Sequence, residues 1–229
     1  MKLQKTAILI FAQSAQKEAA NKPFKNAAKV FTQLNKHTIN TVKKTKLPYF
    51  HATENTQTGI TFGERLTNAI QSVYDQGFDN VITIGNDTPH LRASHIIDTA
   101  KKLESHRLIL GPSRDGGFYL IGLHKSQFNP ATFLQLPWQT KTLTKELLVT
   151  GFQEKKQVHI LATLEDIDNL QDIKTVVKKF RILNNRTLQQ LLETLVSNTT
   201  TIEIIKISFK NFLFQDLHFN KGSPSLHFA

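Results

Sequence analysis

The chain has 229 residues, of which 39% are hydrophobic and 21% charged, and a formal net charge of +11. This suits one α/β domain with at most a short appendage, and it excludes a disordered or fibrous chain. With no cysteine in the sequence, a disulfide scaffold, thiolate chemistry and a cysteine-based zinc site are excluded as well.

The charge is uneven. Residues 1–50 hold ten lysines and one acid, Glu18, so the other 179 residues carry only +2. A solvated helix face studded with lysine is the favoured reading, ahead of attraction to a phosphate-rich ligand or an anionic surface. Nucleic acid is not an expected partner, because no aromatic or arginine-rich pattern accompanies the lysines. No apolar run approaches the ~20 residues of a membrane span. Lys2 and Lys5 precede the run Thr6 to Ala12, and Ala12-Gln13-Ser14-Ala15 imitates a cleavage site. That run is at the short limit for a signal-peptide core, so a buried first strand explains it better. The expected compartment is therefore the cytoplasm.

In chain order, Ala7 to Phe11 reads as a buried strand. Leu66, Ile70, Val73 and Tyr74 repeat at helical spacing until Gly77 stops them. Asn80 to Ile84 is a second strand, ending in Gly85-Asn86-Asp87. Ser94 to Leu103 is a short helix, Leu108 to Leu110 a third strand closed by Gly111-Pro112, and Phe118 to Leu123 a fourth. Thr140 to Leu148 is helical, Val158 to Ala162 a fifth strand, and Gln171 to Phe180 another helix. Strands that are continuously apolar are covered on both faces, as in a parallel or mixed sheet. The order predicts a doubly wound α/β fold whose ligands sit at the carboxyl ends of the strands. Residues 1–180 form the expected domain. Residues 181–229 read as a C-terminal appendage, with a helix over Arg186 to Val196, a strand-like Thr201 to Phe214 and a turn-rich end.

Three pieces could carry chemistry. In Ile84-Gly85-Asn86-Asp87-Thr88-Pro89 an acid sits at a strand tip beside a glycine that permits close backbone approach. Asp87 there suits a divalent cation held against a diphosphate, and equally an Asx-type turn or helix cap. In the loop around Asp115-Gly116-Gly117 the glycines would let a substrate lie on the backbone, with Asp115 as base or hydroxyl binder. The pair Asp115-Gly116 is first of all a hairpin-turn signal. In Glu165-Asp166-Ile167-Asp168-Asn169, one carboxylate could be a second metal ligand, while Asp168 is well placed to cap the following helix. Glu64 suits the first turn of its helix. Trp138, the only tryptophan, could stack on a sugar or base, though a core role is more common. No phosphate-binding Gly-rich loop of the Walker or dinucleotide type is present.

Five stretches in order resemble a bacterial GT-A-fold family of uncharacterised glycosyltransferases, close to the nucleotide-diphospho-sugar transferases. They are Phe62-Gly63-Glu64-Arg65-Leu66, Ile84 to Pro89, Leu110 to Leu123, Pro137-Trp138-Gln139-Thr140 and Asp166-Ile167-Asp168. The resemblance implies a three-layer, Rossmann-like GT-A sandwich with a mixed, mostly parallel sheet. It implies a nucleotide-sugar donor and a Mg²⁺ or Mn²⁺ ion held by Asp87 and Asp168. Asp115 would act on the acceptor side, and Glu64, Arg65, Gly85, Asn86, Gly116, Gly117 and Trp138 would line the nucleotide and substrate site. The sequence departs from the family after its first strand. Where the family has a Pro-Gly-rich loop and a Lys-Thr-Arg element, this chain reads Ala12 to Lys25 without glycine or arginine. Lys17, Lys22 or Lys25 could replace the arginine as point charges, without its bidentate fork. The leading expectation is metal-assisted glycosyl transfer. Nucleotidyl transfer to a phosphorylated metabolite and a non-catalytic binding protein of the same fold are the alternatives. The oligomeric state is left open.

Overall fold

A computed structural model describes residues 5–22, 24–150, 158–179, 186 and 188–196. The chain runs β1 (Thr6–Phe11), α1 (Ala15–Asn21), α2 (Ala27–Thr45), β2 (Tyr49–Ala52), α3 (Phe62–Asp75), β3 (Asn80–Ile84) and α4 (Ala93–Lys102). It continues with β4 (Leu108–Pro112), β5 (Phe118–His124), α5 (Pro130–Leu134), α6 (Leu143–Thr150), β6 (Val158–Ile160) and α7 (Leu170–Lys179). The described residues from Leu188 to Val196 are helical. The strand-like and turn-rich stretches expected beyond residue 200 lie outside the described residues.

The six strands form one sheet in the order β2-β1-β3-β5-β4-β6. β1 pairs in parallel with both β2 and β3, and β4 in parallel with β6. Only β5 runs the other way, between β3 and β4. The sheet is thus mixed and mostly parallel. The strands are apolar on both faces because both faces are covered. Ala7, Leu9, Val81, Leu108, Leu110 and Ile121 face Leu66, Ile70 and Val73 of α3, Phe133 of α5 and Leu147 of α6. Ile8, Ile10, Ile82, Ile84 and Ile109 face Val42 of α2 and Ile96 of α4. The result is a helix–sheet–helix sandwich.

A third apolar cluster joins Val30, Phe31 and Leu34 of α2 to Ile173 and Val176 of α7 and to Leu188, Leu192 and Leu195. It carries α1 and α2, which the sequence reading missed. The core stripe of α2 runs Val30, Phe31, Leu34, Thr38, Thr41, Val42 and Thr45. Threonine fills half of its turns, so the helical period is diluted among lysines. Lys29, Lys36, Lys43 and Lys44 occupy the exposed face, as a solvated lysine face requires. β2 also escaped notice, because it is an edge strand of four residues with a mostly unburied pattern. Among the described residues no helix is long and apolar enough to cross a membrane.

Candidate functional site

Five chain segments meet at one edge of the sheet. The carboxyl ends of β1, β3, β4 and β6 converge there with the start of β5. They surround a cleft of about 680 Å³ lined by Gln13, Glu18, Lys22, Arg65, Gly85, Asn86, Asp87, Asp115, Gly117, Trp138, Asp166 and Asp168 among others. A parallel sheet opens a crevice of this kind where neighbouring strands send their connections to opposite faces.

Lys22 closes one wall. Ser14 caps α1, accepting from the Lys17 amide at 3.3 Å, and is itself held by the Glu54 carboxylate. α1 then delivers Lys22 at its end. The ammonium lies 2.9 Å from Asp87 Oδ2, 2.5 Å from Asp168 Oδ1 and 3.9 Å from Glu18 Oε2. It also sits 5.5 Å above the Phe31 ring. Burial works against the charge on Lys22, but Asp87 and Asp168 outweigh it and raise its pKa above the ordinary lysine value. Burial raises the Glu18 pKa, with Lys22 opposing. Of the three lysines considered for the divergent first loop, Lys22 reaches the acids.

The carboxylates of Asp115, Asp166 and Asp168 each present an oxygen within 4.8 Å of the others. Burial, followed by the charges of Asp87, Asp115 and Asp168, pushes the Asp166 carboxyl up to about 7. Crowded like charges of this type relax when a cation joins them, and an all-oxygen donor set suits Mg²⁺ or Mn²⁺. The residues present therefore fit a divalent cation, with Asp168 common to the acid corner and the lysine pair. Asp87 is outside that trio. Sequence reasoning offered the whole run from Glu165 to Asn169 as a source of one metal ligand and chose Asp168; the acid corner contains Asp166 as well.

Asp168 was also considered as the cap of the last helix. The structure corrects this. Asn169 Oδ1 accepts from the amides of Gln171 and Asp172 at 2.8 and 3.1 Å, and Asp172 Oδ2 accepts from the amides of Asp168 and Asn169. Asn169 and Asp172 satisfy the orphan donors, which leaves the Asp168 carboxylate to the cleft. Asp87 is not a cap either. Its backbone carbonyl takes the Ile167 amide at 3.0 Å, tying the β3 tip to the acidic run, and its side chain faces Lys22.

Asp115 builds the turn that Asp115-Gly116 predicts. Its Oδ1 accepts from the Gly117 amide at 2.9 Å and from the Ser113 hydroxyl at 2.5 Å, which builds the turn. Its carboxylate is also a member of the acid corner, and the residue is exposed. Gly117 lines the cleft, but Gly116 does not. Gly116 has φ +94°, and a Cβ there would lie 2.1 Å from the Lys141 carbonyl oxygen, so its backbone packs against protein.

Glu64 also leaves the predicted site. It forms a capping box with Thr61, accepting from the amides of Ile60 and Thr61 at 2.7 and 2.9 Å. The neighbouring Arg65 does line the cleft, with Nη1 donating to the Ile60 carbonyl at 2.6 Å. Asn86 is buried and donates to Asn35 Oδ1 at 2.5 Å. Trp138 donates through Nε1 to the Phe133 carbonyl at 2.7 Å and packs on Phe62, Phe118 and Phe133. It is both core and cleft wall, and a Cβ on Gly63 would meet its ring at 2.5 Å. The buried hydroxyls of Thr83 and Thr88 line the cleft as well, with no hydrogen-bond partner among the described residues. Thr83 was not singled out from sequence, because a threonine in an apolar strand reads as packing, and Thr88 entered only as part of the Ile84 to Pro89 stretch.

The sequence profile of uncharacterized proteins conserved in bacteria (DUF2064) matches residues 25–140, which is half of the chain. The protein belongs to that family. Asp87, Asp115 and Trp138 lie inside the matched region, whereas Lys22, Asp166 and Asp168 lie outside it. Among solved structures, a protein of Desulfovibrio desulfuricans G20 assigned as a nucleotide-diphospho-sugar transferase superposes with a TM-score of 0.69 at 20% identity. That alignment covers 86% of this chain and 98% of that one. The 4-diphosphocytidyl-2C-methyl-D-erythritol synthase of Anaerococcus prevotii DSM 20548 gives 0.53 at 12% identity, over 78% and 97% of the two chains. At these identities the likeness is one of fold. The chain has the three-layer fold of the nucleotide-diphospho-sugar transferases. No curated protein matches its sequence.

Proposed function

We propose that the protein is a nucleotide-diphosphate-dependent transferase that moves a sugar from a nucleotide-sugar to an acceptor. One observation carries the reading. A half-buried ammonium and four carboxylates converge in an open cleft at the carboxyl edge of a sheet with this fold. A diphosphate is the ligand class that uses both a fixed cation and an acid corner able to hold a metal.

Asp115, Asp166 and Asp168 would hold Mg²⁺ or Mn²⁺, which neutralises charge on a departing diphosphate. Lys22 and Arg65 would meet phosphate oxygens as fixed cations, at no reorganisation cost during reaction. Trp138 would flank the base or sugar. Asp115, whose Oδ1 is held by Ser113 and Gly117, would stand on the acceptor side of the metal ion and orient the acceptor hydroxyl. The hydroxyls of Thr83 and Thr88 would find partners on the ligand, since buried polar groups are normally satisfied.

A second reading, transfer of a nucleotidyl group from a nucleoside triphosphate, draws on the fold shared with the erythritol synthase above and on the first-loop lysine in the cleft. Thermal shift with a panel of nucleotide-sugars and nucleoside triphosphates, each with and without Mn²⁺, tests both. A rise in Tm with a nucleotide-sugar, followed by release of nucleoside diphosphate, supports sugar transfer. Pyrophosphate release from a triphosphate supports the second reading. No shift with any nucleotide overturns both.

A further inference from the structure

A cation that bridges Asp87 and Asp168 must lie within bonding reach of one oxygen from each. The Lys22 ammonium is already there, 2.9 Å from Asp87 Oδ2 and 2.5 Å from Asp168 Oδ1. Metal–oxygen distances for divalent cations are about 2.0–2.6 Å, so a bridging metal would need the volume that Nζ fills. The lysine is not a loose surface group. Its side chain is only 21% exposed, lies over Phe31 and is carried by a capped helix.

We propose that Lys22 is the resident cation of the Asp87–Asp168 pair, so that a divalent metal entering this cleft is confined to the Asp115–Asp166–Asp168 corner and makes no bond to Asp87. The strand-tip aspartate then serves to position the lysine. The diphosphate site combines one built-in cation with one exchangeable cation, and the chain's divergent first loop selects this arrangement. Lys22 and a metal at Asp87 exclude each other both by volume and by charge. Displacing the ammonium would leave it buried beside Phe31 and Glu18, facing a dication. The proposal refines the site read above as a diphosphate site. Its test uses metal alone, so either reading can fail without the other.

The experiment is Mn²⁺ titration of the full chain without nucleotide, following loss of the free-ion electron paramagnetic resonance signal. In wild type, Asp168→Asn weakens Mn²⁺ binding and Asp87→Asn leaves it unchanged. Lys22→Met opens the pair and tightens Mn²⁺ by about tenfold, the factor that roughly 1.4 kcal/mol represents. Asp87→Asn reverses that gain in the Lys22→Met background. Lys22→Arg, which keeps the charge, does not tighten binding. Equal affinities for wild type and Lys22→Met overturn the proposal. So does a loss of more than about threefold (roughly 0.6 kcal/mol) on Asp87→Asn in wild type. That second arm needs no change at Lys22, so it decides the matter even where Lys22→Met fails to fold.

Discussion

Two adjacent glycines show how differently single residues contribute to the cleft. At Gly116, φ is +94° and an added Cβ would be 2.1 Å from a backbone oxygen, so neither the conformation nor the space admits a side chain. Gly116→Ala is expected to cost about 2–4 kcal/mol of stability by urea denaturation. At Gly117 the nearest atoms to an added Cβ are Asp115 Oδ1 at 3.2 Å and Ser113 Oγ at 3.3 Å. Both are side-chain tips that can give way. Gly117→Ala is expected to change stability by less than about 1 kcal/mol and to weaken nucleotide-sugar binding several-fold in a thermal-shift titration, because the methyl group enters the cleft. The same contrast separates Glu64 from Arg65. Glu64→Ala removes the carboxylate half of a capping box, the acceptor for the Ile60 and Thr61 amides, and is expected to lower Tm while leaving ligand affinity intact. Arg65→Ala is expected to weaken the ligand with little change in Tm. Sequence reasoning grouped each pair because neighbours in a motif are indistinguishable until the backbone assigns one to the ligand and the other to the fold.

The loop from β3 to α4 and the loop from β6 to α7 each carry a titrating group, and the two act in opposite senses. Burial, then the positive charges of Arg92 and His37, pushes His90 down to about 4, while Glu165 opposes. The unfolded chain titrates near 6.5. Between those values the unfolded state binds a proton that the folded state refuses, so His90 favours the fold at neutral pH and that contribution is lost as pH falls. Asp166 works in the reverse sense. Its folded pKa of about 7 lies above the 3.8 of an ordinary aspartate, so its contribution is present at low pH and is lost as pH rises toward 7. Wild-type stability therefore conceals two slopes. His90→Gln is expected to make stability fall more steeply with rising pH than wild type between pH 4.5 and 6.5. Asp166→Asn is expected to do the opposite, each by up to about 1.4 kcal/mol per pH unit. Urea midpoints across that range in metal-free buffer check both, and parallel curves for all three proteins would refute the assignment. At this scale the strands were the most legible part. Asn80–Ile84 agrees with the sequence reading end for end, because four consecutive apolar or β-branched positions closed by glycine admit little else. α1 was illegible, since Ala15 to Asn21 has one buried residue and no apolar period. The site's lysine was considered only as one of three candidates for the same reason: its helix could not be seen.

At the scale of the molecule, the cleft depends on a layer remote from the sheet. α1, which delivers Lys22, shares one apolar cluster with α2, α7 and Leu188, Leu192 and Leu195. Those three leucines are 0%, 0% and 4% exposed, and they fall within the stretch that sequence reasoning set apart as an appendage. The boundary at residue 180 was drawn where the apolar strands cease, but a helix can complete a core without adding a strand. Position in the chain and position in the core are independent here. It follows that substitutions after residue 180 should reach the cation site by loosening the surface on which α1 sits. Leu192→Ala is expected to cost about 2–5 kcal/mol in urea denaturation, a large share of the 5–15 kcal/mol typical of a domain. It should also relax the hold of Lys22 on Asp87 and Asp168, so that Mn²⁺ binding, measured well below the denaturation midpoint, moves toward that of Lys22→Met. Val149→Ala serves as the control. That side chain is 68% exposed, and its truncation should leave both stability and Mn²⁺ affinity where they were. If Leu192→Ala destabilises the chain and Mn²⁺ affinity does not move, the third cluster supports the fold without positioning the lysine.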